Sequence, residues 1–180
     1  MAPALIVSSP LKVRVRERGT ALVATDPAGQ VVVEGRRGSA AAPYEAVLAT
    51  AGGEWRVRPA SDGAPAQVLG ADGDLVAAVT RRALRGTEIV LPGGETIPVF
   101  GRSFLGHRCT FGDLASARTP WLFPQRYFTL ALGDELLARH DLDLIVALAT
   151  HLAETHIAAS ISAAGAAGVG AGASSAAVAG

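Results

Sequence analysis

Four cations stand at alternate positions in LKVRVRER: Lys12, Arg14, Arg16 and Arg18. Successive side chains of a strand point to opposite faces, so all four share one face, with Leu11, Val13, Val15 and Glu17 on the other. A row of guanidinium forks suits an anionic lipid headgroup or a phosphate backbone. The competing reading is a solvent face whose arginines pair with glutamates on neighbouring strands. Arg81, Arg82 and Arg85, in TRRALRG, make a second cluster that would extend the row if the fold brought the two together.

A second constellation lies near the C-terminal end, in DLDLIVALATHLAETHIAASIS. On a helix, Asp143, Thr150, His151 and Glu154 form a polar stripe in otherwise apolar surroundings. Buried polar groups must find hydrogen bonds, so the stripe either anchors the helix to strand backbones or lines a ligand cavity beside it. Anchoring is the simpler reading. His151 and His156 are five positions apart, about 140° around a helix, whereas two ligands of one metal want a spacing of three or four. A zinc site would need His107, His140 or Cys109 to converge on them.

Other chemistry fails on spacing. His107 and Cys109 would lie parallel on one strand face with nothing to orient the base, and a lone cysteine is most often a buried one. GRSFLG, residues 101–106, lacks the spacing of a nucleophile elbow. The single lysine, Lys12, lies between Leu11 and Val13, so a phosphate-cradling loop with its lysine after the glycines is absent. No acid pair, triad or metal set emerges, and the expectation is a protein without enzymatic activity, cofactor or metal.

The elements that must position these residues follow from patterning. The chain has 180 residues and is 49% hydrophobic, enough for one domain with its own core. Sixteen basic and sixteen acidic residues cancel, so no global field favours nucleic acid. One cysteine and no apparent secretory signal suggest a cytoplasmic, reducing setting. Short runs rich in Val, Ile, Leu and Thr recur from Ala4 to about Arg139. They are separated by turn signals at Asp26-Pro27-Ala28-Gly29, Gly52-Gly53, Asp72-Gly73, Pro92-Gly93-Gly94 and Gly133-Asp134. Counting flanks predicts about eleven to thirteen strands, including ALIVS at the start, HRCTF, YFTLAL and a last strand ELLAR; that many strands in one small domain need a sandwich or barrel.

After Arg139 the period changes from two to 3.6. Asp141 is the expected N-cap and Asp143 lies in the first turn, where carboxylates suit the helix dipole. Leu144, Ile145, Val146, Leu148, Ala149, Leu152, Ala153 and Ile157 cover an arc of roughly 200°, wider than an ordinary surface helix shows, so burial on most sides is implied. Leu144–Ala149 is the longest clean apolar run, short of a membrane span. Trp121, Phe123, Tyr127 and Phe128 are expected to pack against this helix. From Ala163 the chain is Gly, Ala, Ser and Val only, and a disordered tail over 163–180 is expected.

This order of elements resembles the tubby C-terminal-like superfamily, which includes scramblase-related and LURP-one-related proteins. The resemblance rests on FPQRYFTLALGDELLARHDLDLIVALATHLAETH, Phe123 to His156, and on the rhythm of hairpins over residues 4–158. It implies a mainly β, about twelve-stranded antiparallel closed barrel over residues 1–160, around a central hydrophobic helix at about 141–160. A binding or scaffolding role is the corresponding expectation, with anionic phospholipid or a protein as partner and a place in the cytoplasm or at the inner membrane face. A cysteine cluster, an acidic calcium segment and a lysine-based phosphoinositide site, known in relatives, have no counterpart in this chain. Asp141 and Asp143 alone fall short of a calcium ligand set.

Overall fold

The protein is described here by a computed structural model. It describes residues 8–16, 20–37, 45–59, 64–82, 86–102, 108–119 and 127–172, with side chains up to Ala159 except those of Arg82 and Arg102. Twelve strands form: β1 Leu11–Arg16, β2 Ala21–Thr25, β3 Val31–Arg37, β4 Ala46–Thr50, β5 Gly53–Arg58 and β6 Ala66–Leu69. They continue as β7 Leu75–Arg82, β8 Gly86–Val90, β9 Thr96–Arg102, β10 Arg108–Phe111, β11 Ala115–Arg118 and β12 Tyr127–Leu132. Each strand pairs antiparallel with its sequence neighbour, and β1 closes the barrel on β12 with Leu11 opposite Leu130 and Val13 opposite Phe128.

The strands alternate as their sequences require. In β1, Leu11 and Val13 are buried while Lys12, Arg14 and Arg16 are exposed, and in β12 Phe128, Leu130 and Leu132 are buried between outward neighbours. The turns at one end of the barrel use the chemistry expected of them. Asp26 accepts from the Gln30 amide through Oδ1 at 2.8 Å, and Gly29 takes φ +84°, a conformation that side-chain-bearing residues avoid.

Eight strands close into a barrel that strand side chains alone can fill; twelve leave a lumen. Helix α2, Leu142–Gly172, fills it. Leu144 to His151 are eight consecutive residues, all buried. At 100° per residue they sample the whole circumference, so no side of this stretch meets solvent. A helix lying on the outside would leave one face wet. The central helix expected from the sequence is therefore present. The window Leu142–Ala159 is long and apolar enough to cross a membrane by composition, yet 67% of it is buried within the barrel.

Three features depart from the sequence reading. ELLAR is not a strand: Asp134–Leu137 form a short helix, α1. Closure of β1 on β12 leaves no edge for a thirteenth strand, and Asp134 and Glu135 suit the first turn of a helix. Leu136 of α1 is fully buried and joins the core. β11, ASAR, has too little hydrophobic signal to be recognised alone, yet it pairs on both sides. The helical backbone continues to Gly172, into the segment expected to be disordered from Ala163. ALIVS falls largely outside the described residues.

Candidate functional site

The polar stripe of α2 separates into different jobs, because 100° steps put Asp143, Thr150 and Glu154 close to one line and turn His151 away from it. That line faces β3 and the β4–β5 turn. Asp143 lies against Gly52, where a Cβ would collide with the carboxylate, and its Oδ1 is buried without a hydrogen-bond partner. Thr150 donates back to the Val146 carbonyl at 2.7 Å. Glu154 forms an ion pair with Arg37 of β3, which also donates to Thr155 Oγ1 at 3.1 Å. Burial pushes the Glu154 carboxyl upward while Arg37 opposes that shift. Glu154 thus ties the helix to β3, through the Arg37 side chain instead of strand backbone, while the Thr150 hydroxyl is satisfied within α2 itself.

His151 does not. It is 8% exposed and its Nδ1 has no hydrogen-bond partner. Burial, assisted by the positive charge of Arg37, lowers its pKa to about 4, so the imidazole is neutral at ordinary pH. His151 lines a cavity of about 750 Å³ between the second half of α2 and strands β5 to β9. The cavity exists for two reasons. α2 packs closely on β3, β4, β5 and β10, away from β6 to β8. On the far side several lining residues are small: Ala66, Thr87 and Gly101 at inward strand positions beside Val79 and Val99, and Ala64 at the exposed edge. Gly101 makes room there for the His156 ring, which a Cβ would force to move.

Arg81 also lines this cavity, following Ala77 and Val79 on the inward parity of β7, with its side chain exposed at the rim. For Arg81 this corrects the expectation that the cluster extends the β1 row. In barrel order β7 stands six strands from β1 in either direction, diametrically opposite. Arg85 and the side chain of Arg82 lie outside the described residues.

The row on β1 is real and acquires other members. Lys12, Arg14 and Arg16 all point outward; Arg18 lies outside the described residues. Their cross-strand partners are Thr25, Val23 and Ala21 on β2, and on β12 Thr129 and Tyr127, so no carboxylate stands opposite them. Lys12 Nζ sits 5.4 Å from the centroid of the Tyr127 ring, a cation–π arrangement. Tyr127 therefore faces outward, while Phe128 turns into the core as expected. Trp121 and Phe123 lie outside the described residues.

Register then brings in arginines that the sequence pattern did not reveal. Arg108 of β10 faces Arg118 of β11, Arg118 faces Thr129, and Thr129 faces Lys12. A belt of outward side chains crosses four strands at about 4.8 Å per strand and meets the β1 row at Lys12. The six contiguous strands β9, β10, β11, β12, β1 and β2 contain no Asp or Glu. The other half holds Glu34, Glu54 and Glu88 in its strands, and three of its arginines pair, Arg56 with Glu54, Arg58 with Glu45 and Arg37 with Glu154, while Arg36 and Arg81 have no ion pair among the described residues. Among the described residues Lys12, Arg14, Arg16, Arg108 and Arg118 have no ion pair. The signal that would have revealed the belt is the turn at Gly112-Asp113, with Gly112 at φ +51°, about which Arg108 and Arg118 pair.

Cys109 is fully buried and desolvation pushes its thiol up to about 11, which suppresses the thiolate. His107 lies outside the described residues and His140 is exposed. Among the described residues no cluster of three or more His, Cys, Asp or Glu could hold a metal ion. At the mouth of the barrel where α2 begins, Arg139 binds Asp141 at 2.8 Å and Glu95 at 2.7 Å; it holds both carboxyls below their ordinary values. Asp141 serves the helix through its carbonyl, which accepts from the Ile145 amide at 3.1 Å.

No family model, curated protein or solved structure matches this chain significantly.

Proposed function

We propose that the chain is a non-enzymatic, tubby-like binding domain whose basic wall engages anionic phospholipid headgroups from the cytoplasmic side of a membrane. The observation that carries this reading is the acid-free run of six strands with five outward cations and no ion pairs among the described residues. Mixed surfaces neutralise themselves in part, as the β3–β8 half does through Arg56 with Glu54 and Arg58 with Glu45. A wall that does not is left to attract an external anion although the whole chain is neutral. Each basic residue near an anionic bilayer contributes about 1 kcal/mol, so five together suffice for reversible attachment that salt weakens. Phe100, 53% exposed on the outer face of β9, and Tyr127 add aromatic surface of the kind favoured at a headgroup boundary.

Vesicle flotation tests the reading. The protein is expected to float with vesicles containing phosphatidylglycerol or phosphatidylserine, not with pure phosphatidylcholine, and to be released by raised salt. Charge reversal at Arg14 and Arg118 together should abolish flotation without unfolding. Flotation that is absent in the wild type, or indifferent to these substitutions, removes the lipid reading; retention of a protein partner under the same reversal would replace it with a polypeptide-binding role.

A further inference from the structure

We infer that the cavity beside α2 is a binding site for an amphipathic monocarboxylate, its apolar body enclosed by the barrel wall and its carboxylate held at the rim by Arg81. The site is separate from the basic wall. It lies inside the barrel, on the β5–β9 side.

The lining decides the class of ligand. Val57, Ala66, Val79, Val99 and Leu152 make most of the space apolar. Its volume, about 750 Å³, lies within the range of small-molecule sites. Apolar residues of ordinary size in place of Ala66 and Gly101 would reduce this space. The polar groups are few. Thr87 offers a hydroxyl, while that of Thr155 is taken by the His151 carbonyl and Arg37; His156 borders the space, and His151 brings an imidazole more than nine-tenths buried with Nδ1 unpaired. Arg81 carries the formal positive charge on the lining, and it has no ion pair among the described residues. Arg37 is already committed to Glu154. Among the described residues the Arg81 guanidinium stands free at the edge of an apolar interior, which selects a molecule with an anionic end, and a guanidinium fork matches a carboxylate.

Fluorescence titration of the full chain with a dansyl-labelled undecanoic acid reads the site directly. The probe is expected to saturate at one equivalent and to be displaced by dodecanoate at roughly tenfold lower concentration than by dodecanol, the difference a charge-assisted pair provides. Dodecylammonium should not displace it. Arg81→Glu should erase the preference for acid over alcohol and leave displacement by dodecanol unchanged. Ala66→Trp, which fills the cavity, should weaken the probe at least about tenfold; Ala64→Phe at the exposed rim serves if that variant does not fold. Charge reversal at Arg14 and Arg118 should leave probe binding intact, which separates this site from the wall. Non-saturable binding, equal displacement by acid and alcohol, or full affinity in a folded cavity-filled variant would overturn the inference.

Discussion

The two halves of the described part of α2 differ sharply. From Leu142 to Thr150 the helix touches protein on every side; from His151 to Ala159 it is held by β3 on one face and borders open space on the other. The same secondary structure, a few turns apart, serves closure of the core and then leaves room. What changes is the wall: large inward side chains surround the first half, while Ala64, Ala66, Thr87 and Gly101 line the second. Close packing and open space are thus distributed along one helix instead of between two domains.

The largest expected effect tests that division. Leu148→Asp puts a charge at a fully buried position in the tight half and should abolish the cooperative unfolding transition, a loss above about 4 kcal/mol. Leu152→Asp, one turn on and beside the cavity, can reach the open space and should leave a folded protein. Equal damage from both substitutions, seen by chemical denaturation, would erase the distinction.

Acid is the next probe. His151 has its folded pKa lowered to about 4 from 6.5, so the unfolded chain binds the proton more readily. Stability is fully present above 6.5 and falls as pH drops toward 4, by roughly 3 kcal/mol. Glu154, with its pKa raised, acts in the opposite sense, and Arg37 faces both groups. His151→Leu should therefore flatten the decline between these pH values relative to the wild type. A decline unchanged in the variant would assign it to other groups.

A smaller effect is expected at Gly101. Gly101→Ala forces the His156 ring to move and should cost about 1–3 kcal/mol, because overpacking at a helix–wall contact displaces neighbours. Smallest is the outer wall: Arg14→Ala should shift stability by less than about 0.5 kcal/mol, since an exposed cation without an ion pair supports nothing in the fold. A larger loss there would make the row structural and weaken its reading as a binding surface.

Much of the architecture was legible because it is written in periodicity. The change from alternation to 3.6 after Arg139, and the width of the apolar arc on α2, required a helix with little face left for water. ELLAR misled because three apolar residues among charges fit a strand as well as a short helix, and only closure of the barrel decides between them. The candidate binding features were less legible. Lys12, Arg14 and Arg16 are a local pattern and could be read directly. Arg108 and Arg118 join them only through register, which depends on a strand, ASAR, too weakly hydrophobic to recognise alone. Arg81 resembled a surface cation in the sequence; its parity with Ala77 and Val79 and the opposite position of β7 are facts of topology. The cavity is a set of small residues on separate strands, and such an absence of bulk leaves no motif.

The seam between β1 and β12 joins the first strand to the last. During synthesis β1 must wait, with one edge unpaired, until nearly the whole wall has emerged, and the plug that gives the cylinder its interior arrives later still. Folding should accordingly be slow and late, and a ribosome-bound chain truncated before Tyr127 should expose strand edges for a chaperone to cover.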